Sequence, residues 1–224
     1  MRVPAIEGHR NWAGSYDALP NPLLGLEARI LLERLSPQAC SRFLDVACGT
    51  GRWMRLAHQR GWKVAGVDFC REMLLEAARK PGLAGCLSLA DAGSIPIVDG
   101  AADLTLCSFA MGYLAFPLRA VAEMARVACR GGRVVITDLH PCALAAGWTR
   151  SFRSNGEVYE IDHYQHPVEF WESAAESAGL KLDWRIDACF GEPEREIFRR
   201  AGKDSVFPEL SRIPAVLAMA WTKS

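Results

Sequence analysis

From about residue 22 to about residue 180, short apolar runs alternate with longer stretches whose apolar positions recur three and four apart. The run "RFLDVA" predicts a strand and "GRWMRLAHQRG" a helix ending at Gly61. "KVAGVDF" and "REMLLEAARK" repeat the pair, with Pro81-Gly82 stopping the helix. "GCLSLAD" predicts a third strand and "ADLTLCSF" a fourth. "PLRAVAEMARVAC" predicts a helix closed by Gly131-Gly132, followed by a fifth strand in "RVVITDL". "HPVEFWESAAESAGL" predicts a helix ending at Gly179, "KLDWRIDACF" a sixth strand and "IPAVLAMAWTK" a seventh. Ahead of them all, "NPLLGLEARILLERL" predicts an amphipathic helix with proline in its first turn.

This alternation implies βαβ units: an α/β fold with a seven-stranded, mostly parallel sheet covered by helices on both faces. Such sheets bind ligands at the carboxyl ends of their strands, near the point where strand order reverses. That rule places Asp45, Asp68, Asp91, Phe109 and His140 on one rim, since each closes or follows a strand. Residues 141–165 and 191–212 interrupt the alternation and read as insertions near that rim, the first of them lid-like. Residues 1–36 read as a helical cap, and 1–224 as a single domain.

Composition narrows the function classes. Half of the residues are hydrophobic, enough for a sizeable core. Lys and Arg total 26 against 26 Asp and Glu, which argues against a nucleic-acid partner, since phosphate affinity needs clustered cations. No apolar run reaches the roughly 20 residues of a membrane helix, and the start lacks a signal-peptide pattern, so a cytoplasmic protein is expected. The eight cysteines include no C-x-x-C pair and sit among apolar neighbours, so neither a disulfide framework nor a metal site is expected.

The chemistry concentrates in "FLDVACGTGRW", where an aspartate near a strand end is followed by Gly-Thr-Gly. Gly49 and Gly51 allow a tight turn and close backbone approach to a ligand at a helix amino end. A dinucleotide fingerprint would need a small third residue where Met54 stands. Asp45 would also repel a pyrophosphate but attract an ammonium group. Asp68, in "GVDFCREML", can accept both hydroxyls of a ribose or cap a helix. Asp91 can accept from an exocyclic amine or serve as a turn residue. Three acids at successive strand ends match three parts of one ligand.

The ordered motifs "LDVACGTG", "VAGVDFCREML", "ADAGSIPIVDGAADLTLCSFAMGYL" and "ARVACRGGRVVITDLHP" resemble those of class I S-adenosylmethionine-dependent methyltransferases of the small-molecule kind. The resemblance implies a Rossmann-like fold, S-adenosylmethionine as cofactor and S-adenosylhomocysteine as product. It implies that Asp45, Ala47, Gly49 and Gly51 surround the amino-acid end of the cofactor. Asp68 would hold the ribose beside Phe69 and Met73, while Asp91 and Ala92 frame the adenine. Ser108 and Phe109 would lie near the sulfonium, and Tyr16 would close over the cofactor. Ala102, where relatives carry an aromatic, departs from the pattern.

The function implied is methyl transfer to a small organic O, N, S or C acceptor by in-line displacement, with no nucleic-acid or membrane partner and a monomeric or homodimeric state. Alternatives are a cofactor-binding protein without transfer activity, acting as a regulator or partner, and a nicotinamide-dependent oxidoreductase. An acceptor that keeps its proton at neutral pH needs a base. His140, directly after the fifth strand, and Tyr113 are the candidate catalytic residues, with a turn role open for His140. Trp148, Arg153, Tyr164 and His166, in an insertion rich in aromatics and arginine, are candidates to meet a planar or anionic acceptor.

Overall fold

The apolar runs become strands because each can bury side chains on both faces of one sheet. The structure, a computed structural model, describes residues 1–18, 20–35, 41–154 and 156–224. Strand β1 (Arg2–Val3) leads into helix α1 (Ala5–Trp12), and α2 (Pro22–Arg34) follows. The Asn21 side chain caps α2 by accepting from the Leu23 N–H. The units β2 (Arg42–Val46), α3 (Arg52–Gln59), β3 (Lys63–Asp68), α4 (Arg71–Ala78) and β4 (Leu87–Leu89) come next. Then come β5 (Ala102–Ser108), α5 (Pro117–Val127), β6 (Ala128–Leu139) and α6 (Pro141–Ala145). A hairpin of β7 (Ser151–Ser154) and β8 (Glu157–Ile161) precedes α7 (Val168–Ser177) and β9 (Leu180–Ala188). The chain closes with α8 (Glu192–Arg200), α9 (Phe207–Leu210) and β10 (Val216–Lys223).

Seven strands form the main sheet in the order β4-β3-β2-β5-β6-β10-β9, with β10 antiparallel to both neighbours. Period-two alternation divides the core. Leu217, Met219 and Trp221 of β10 face the side covered by α5 and α7, with Val121, Met124 and Trp171. Ala218 and Ala220 face the other side, with Leu31 of α2 and Met54 of α3. Strand order reverses between β2 and β5, so their carboxyl ends splay apart and leave a crevice.

Two boundaries differ from expectation. Helix α5 ends at Val127, not at the glycine pair, because Ala128 already pairs with Ala102 in the sheet. Gly131, at φ +73°, lies within β6 next to a register shift against β5. The first insertion pairs at long range: β8 takes β7 antiparallel on one side and β1 parallel on the other, with Val3 opposite Ile161. The second insertion turns away from the rim. Its Glu194 accepts from Arg29 of α2 at 3.0 Å through each oxygen, and Phe198 and Phe207 join the α2 side of the core. No helix of the described residues is long and apolar enough to cross a membrane.

Candidate active site

A cavity of about 450 Å³ opens at the carboxyl ends of the parallel strands. The turn after β2 forms its floor. Ala47 and Gly49 there take φ of +55° and +54°, and a Cβ at Gly49 would meet nothing within 4 Å, so the backbone is bare to the cavity. Gly51 behaves differently from expectation and does not line the cavity. It precedes α3 at φ +75°, and a Cβ would come to 3.0 Å from Leu83 and 3.2 Å from Ala77, so its smallness serves helix packing. The small residue that a dinucleotide fold places on the helix stands here on β3: a Cβ on Gly66 would overlap the sulfur of Met54.

Asp68, at the end of β3, faces the cavity with both oxygens partly used. Oδ2 accepts from the Gly49 N–H and Oδ1 from the Cys70 N–H, each at 2.7 Å. Each oxygen keeps a lone pair for a ligand hydroxyl. Burial pushes the Asp68 carboxyl upward, and the backbone donors oppose this. Phe69 and Met73 stand beside it, the first 63% exposed and the second buried. Asp91 and Ala92 line the same wall, and the Asp91 carboxylate accepts from the Gly93 N–H at 2.7 Å as a turn residue does. Tyr16, Ser108, Phe109 and Tyr113 also line the cavity. Burial raises the hydroxyls of Tyr16 and Tyr113, which suits them to donating hydrogen bonds and not to removing protons.

A side recess shares Tyr16, Ala47, Gly49 and Ser108 with the main cavity and adds Asp45, Thr50 and Arg52. Asp45 is 2% exposed. Burial pushes its carboxyl up to about 8, with Arg52 opposing and the Glu27 and Asp68 charges reinforcing. Beneath it Glu27 of α2, fully buried, accepts from four side chains: Arg52, the Trp53 Nε1–H at 3.2 Å, Ser108 Oγ at 2.7 Å and Thr137 Oγ1. The recess therefore presents a carboxyl and a guanidinium side by side, which complements an α-amino acid.

The remaining wall comes from both chain ends of the cap and insertion. His9 and Trp12 of α1, Leu23 and Leu24 of α2, Thr149 and Arg150 before β7, and Ser151 at its start all line the cavity. Arg150 is the only Lys or Arg among the described lining residues, and it is paired with Asp138. It also donates to the Phe109 carbonyl at 3.2 Å and lies over the Tyr113 ring at 4.6 Å.

His140 requires a correction. It is 4% exposed and does not line the cavity. Its Nδ1 accepts from the Cys142 N–H at 3.0 Å, capping α6, and its Nε2–H donates to Asp187 Oδ1 at 2.9 Å. Both ring nitrogens are used, so the residue is a turn residue. The four acceptor-side candidates are also elsewhere. Trp148 stacks on Phe190 at 5.9 Å, and the exposed Arg153 donates to the Gly156 carbonyl. Tyr164 is about half exposed, its N–H donating to the Gly112 carbonyl. His166 lies against Phe170 and Trp171, where burial lowers its pKa.

A profile of the methyltransferase domain family matches residues 44–136, the span from β2 into β6. A demethylmenaquinone methyltransferase of Thermus thermophilus is 35% identical over 139 residues, 58% of this chain and 63% of that protein. The chain thus spans less than two thirds of that relative. A demethylmenaquinone methyltransferase of Beutenbergia cavernae is 32% identical over 174 residues, 70% of this chain and 71% of that protein. Among solved structures, a putative S-adenosylmethionine-dependent methyltransferase from Listeria monocytogenes superposes with a TM-score of 0.70 at 22% identity. That match covers 90% of this chain and 99% of the other, and speaks to the fold.

Proposed function

Because this chain belongs to the class I S-adenosylmethionine-dependent methyltransferases, we propose that its cavity binds S-adenosylmethionine and directs methyl transfer to a small uncharged organic acceptor. One observation carries the reading: Gly49, Asp68, Asp91 and Ser108-Phe109 meet at one cavity, and Asp45 and Arg52 lie in its adjoining recess. Asp45 would take the ammonium of the cofactor's amino-acid end, and the guanidinium N–H groups of Arg52 not engaged by Glu27 and Ser108 would take its carboxylate. The free lone pairs of Asp68 would take the ribose hydroxyls, and Asp91 with Ala92 would flank the adenine. Tyr16 would close over the amino-acid end. When bound, the cofactor supplies a methyl group already activated by its sulfonium charge. The chain's part is to hold the acceptor in line and to exclude water, with proximity supplying much of the acceleration.

The wall supports an uncharged acceptor. Among the described lining residues its one guanidinium, that of Arg150, is paired with Asp138, and Ile6, Trp12, Leu23, Leu114 and Leu139 make the remainder largely apolar. Among the described lining residues an anionic acceptor would meet no cation outside an ion pair. We also take residues 1–224 as one functional unit, since α1 and the first insertion line the same cavity as the sheet. Methyl-labelled S-adenosylmethionine incubated with matched uncharged and phosphorylated acceptors tests this. Label should appear on the uncharged set; transfer confined to phosphorylated compounds would overturn the acceptor assignment.

A further inference from the structure

The wall opposite the sheet holds a histidine whose tautomer the backbone dictates. His9 Nδ1 lies 2.7 Å from the Ala5 carbonyl oxygen, one helical turn back. A carbonyl only accepts, so Nδ1 must carry the proton. The neutral ring then has its lone pair on Nε2, which has no hydrogen-bond partner among the described residues. The ring lines the cavity, its centroid 4.7 Å from that of Tyr113 in an edge-on arrangement.

The helix that carries His9 is fastened in place. Its neighbour Gly8 lies so close to β8 that a Cβ would come to 2.8 Å from the Ile161 side chain. Trp12 stacks on Phe152 of β7 at 4.8 Å and 7°, and β1 pairs with β8 just before the helix begins. Ile6 and Trp12 of α1 also pack against the cluster that holds Cys70 and Met73. The imidazole is thus set in the cavity wall on an element fastened by pairing and stacking, with Tyr113 at its edge.

We propose that His9 is a catalytic residue, the general base for an aromatic acceptor bearing an acidic hydroxyl, a phenol. The inference rests on the methyl-transfer reading and deepens it. Nε2 takes the hydroxyl proton as the oxygen forms its bond to the methyl carbon. The bond from that carbon to sulfur breaks, and its electron pair stays on sulfur. The positive charge thereby passes from sulfonium to imidazolium, and His9 returns the proton to solvent on product release. Trp12 and Tyr113 put aromatic rings in the cavity wall for a planar acceptor, and among the described lining residues no cation outside an ion pair competes for its phenolate.

The charges facing His9 suit this role. Burial lowers its pKa, while the Ala5 carbonyl and Asp68 of β3 raise it and Arg150 of the insertion lowers it. Tyr113, from the turn after β5, is kept protonated by burial. On α4, Glu72 pairs with Arg10. The lowered value leaves His9 unprotonated at neutral pH, and turnover should fall as the medium is acidified through it.

The test compares wild type with His9→Gln and with His9→Asn, a shorter amide that can retain the bond to Ala5. Catechol and 1-naphthol serve as acceptors. Imidazole nitrogen NMR of the ligand-free protein should show a His9 resonance pair with protonated Nδ1 and bare Nε2. Both variants should bind S-adenosylhomocysteine within about threefold of wild type, lose roughly 10²–10⁴ in turnover, and lose the acid limb of the rate profile. An Nε2-protonated tautomer would overturn the proposal. So would wild-type turnover in both variants, or no transfer to either phenol by a protein that binds S-adenosylhomocysteine. Failure of wild type to bind S-adenosylhomocysteine at all would instead sink the underlying methyl-transfer reading, and the proposal with it.

Discussion

Asp45→Asn is expected to make the ligand-free protein more stable and the cofactor complex weaker. The carboxyl is held near 8 in the fold against an ordinary value of 3.8, chiefly because burial penalises its charge. The sign follows from linkage. The unfolded chain ionises above about pH 4, whereas the native state holds the proton until about 8, so native stability is lost progressively across that window. An amide has no charge to desolvate. The gain should be near zero at the acid end of the window and reach a few kcal/mol above its upper end. At roughly 2–4 °C per kcal/mol for a domain of this size, the melting temperature should rise by at least ~5 °C at alkaline pH. On the proposed assignment the same substitution removes the partner of the cofactor's ammonium and should weaken binding by roughly tenfold to a hundredfold. Melting curves over a pH series, paired with S-adenosylhomocysteine titrations, check both halves. An unchanged melting temperature above the window, or unchanged affinity, would contradict them.

Glu27→Ala should produce the largest loss of stability. Glu27 is fully buried and gathers Arg52, Trp53, Ser108 and Thr137 from α3, β5 and β6 around one carboxylate. Truncation leaves a guanidinium without its counter-charge and a buried indole N–H and threonine hydroxyl without an acceptor. Breaking a buried pair from one side costs about 3–5 kcal/mol. The melting temperature should fall by roughly 10 °C or more. Glu27→Gln, which keeps an acceptor oxygen, should fall less. Thermal unfolding of the two variants decides it, and a loss of under ~2 °C for Glu27→Ala would mean that the cluster is water-accessible.

The sheet and its rim were legible because they are encoded locally. Each strand carries its own apolar run, and the aspartates stand at or near the ends of those runs, so their place on one edge follows from parallel topology alone. The opposite wall is encoded at long range. Val3 meets Ile161, and Trp12 meets Phe152, through pairings with no local signature. Nothing in "AIEGHRNW" announces that His9 will face the cavity; the closest sequence signal is Gly8, which needs a neighbouring element to explain it. Glu27 was equally hidden, since an acid on an amphipathic helix ordinarily reads as solvent-facing.

His140 was misread because position after a strand sets where the backbone is, not where the side chain points. The chain turns into α6 at once, and the imidazole folds back to cap it, a task more often given to Ser, Thr, Asn or Asp. Trp148 and His166 were drawn into aromatic clusters with Phe190 and with Phe170 and Trp171, contacts available only once α7 and β9 are in place. In the same insertion, Arg150 faces the cavity and Arg153 faces solvent. The register of β7 against β8, which opposes Arg153 to Val158, separates them.

In the proposed complex one cavity reads the whole cofactor, and Asp45, its carboxyl pushed up to about 8 by burial, meets the ammonium. Calorimetric titration of the wild-type protein with S-adenosylhomocysteine, repeated in buffers of different ionisation enthalpy, tests it most directly. At slightly acidic pH the ligand's amine is already an ammonium, so binding should drive a proton from Asp45 into the buffer. Saturable one-to-one binding is expected, with net proton release that disappears in Asp45→Asn. Absence of binding at ~1 mM ligand, a free energy weaker than about −4 kcal/mol, would contradict it.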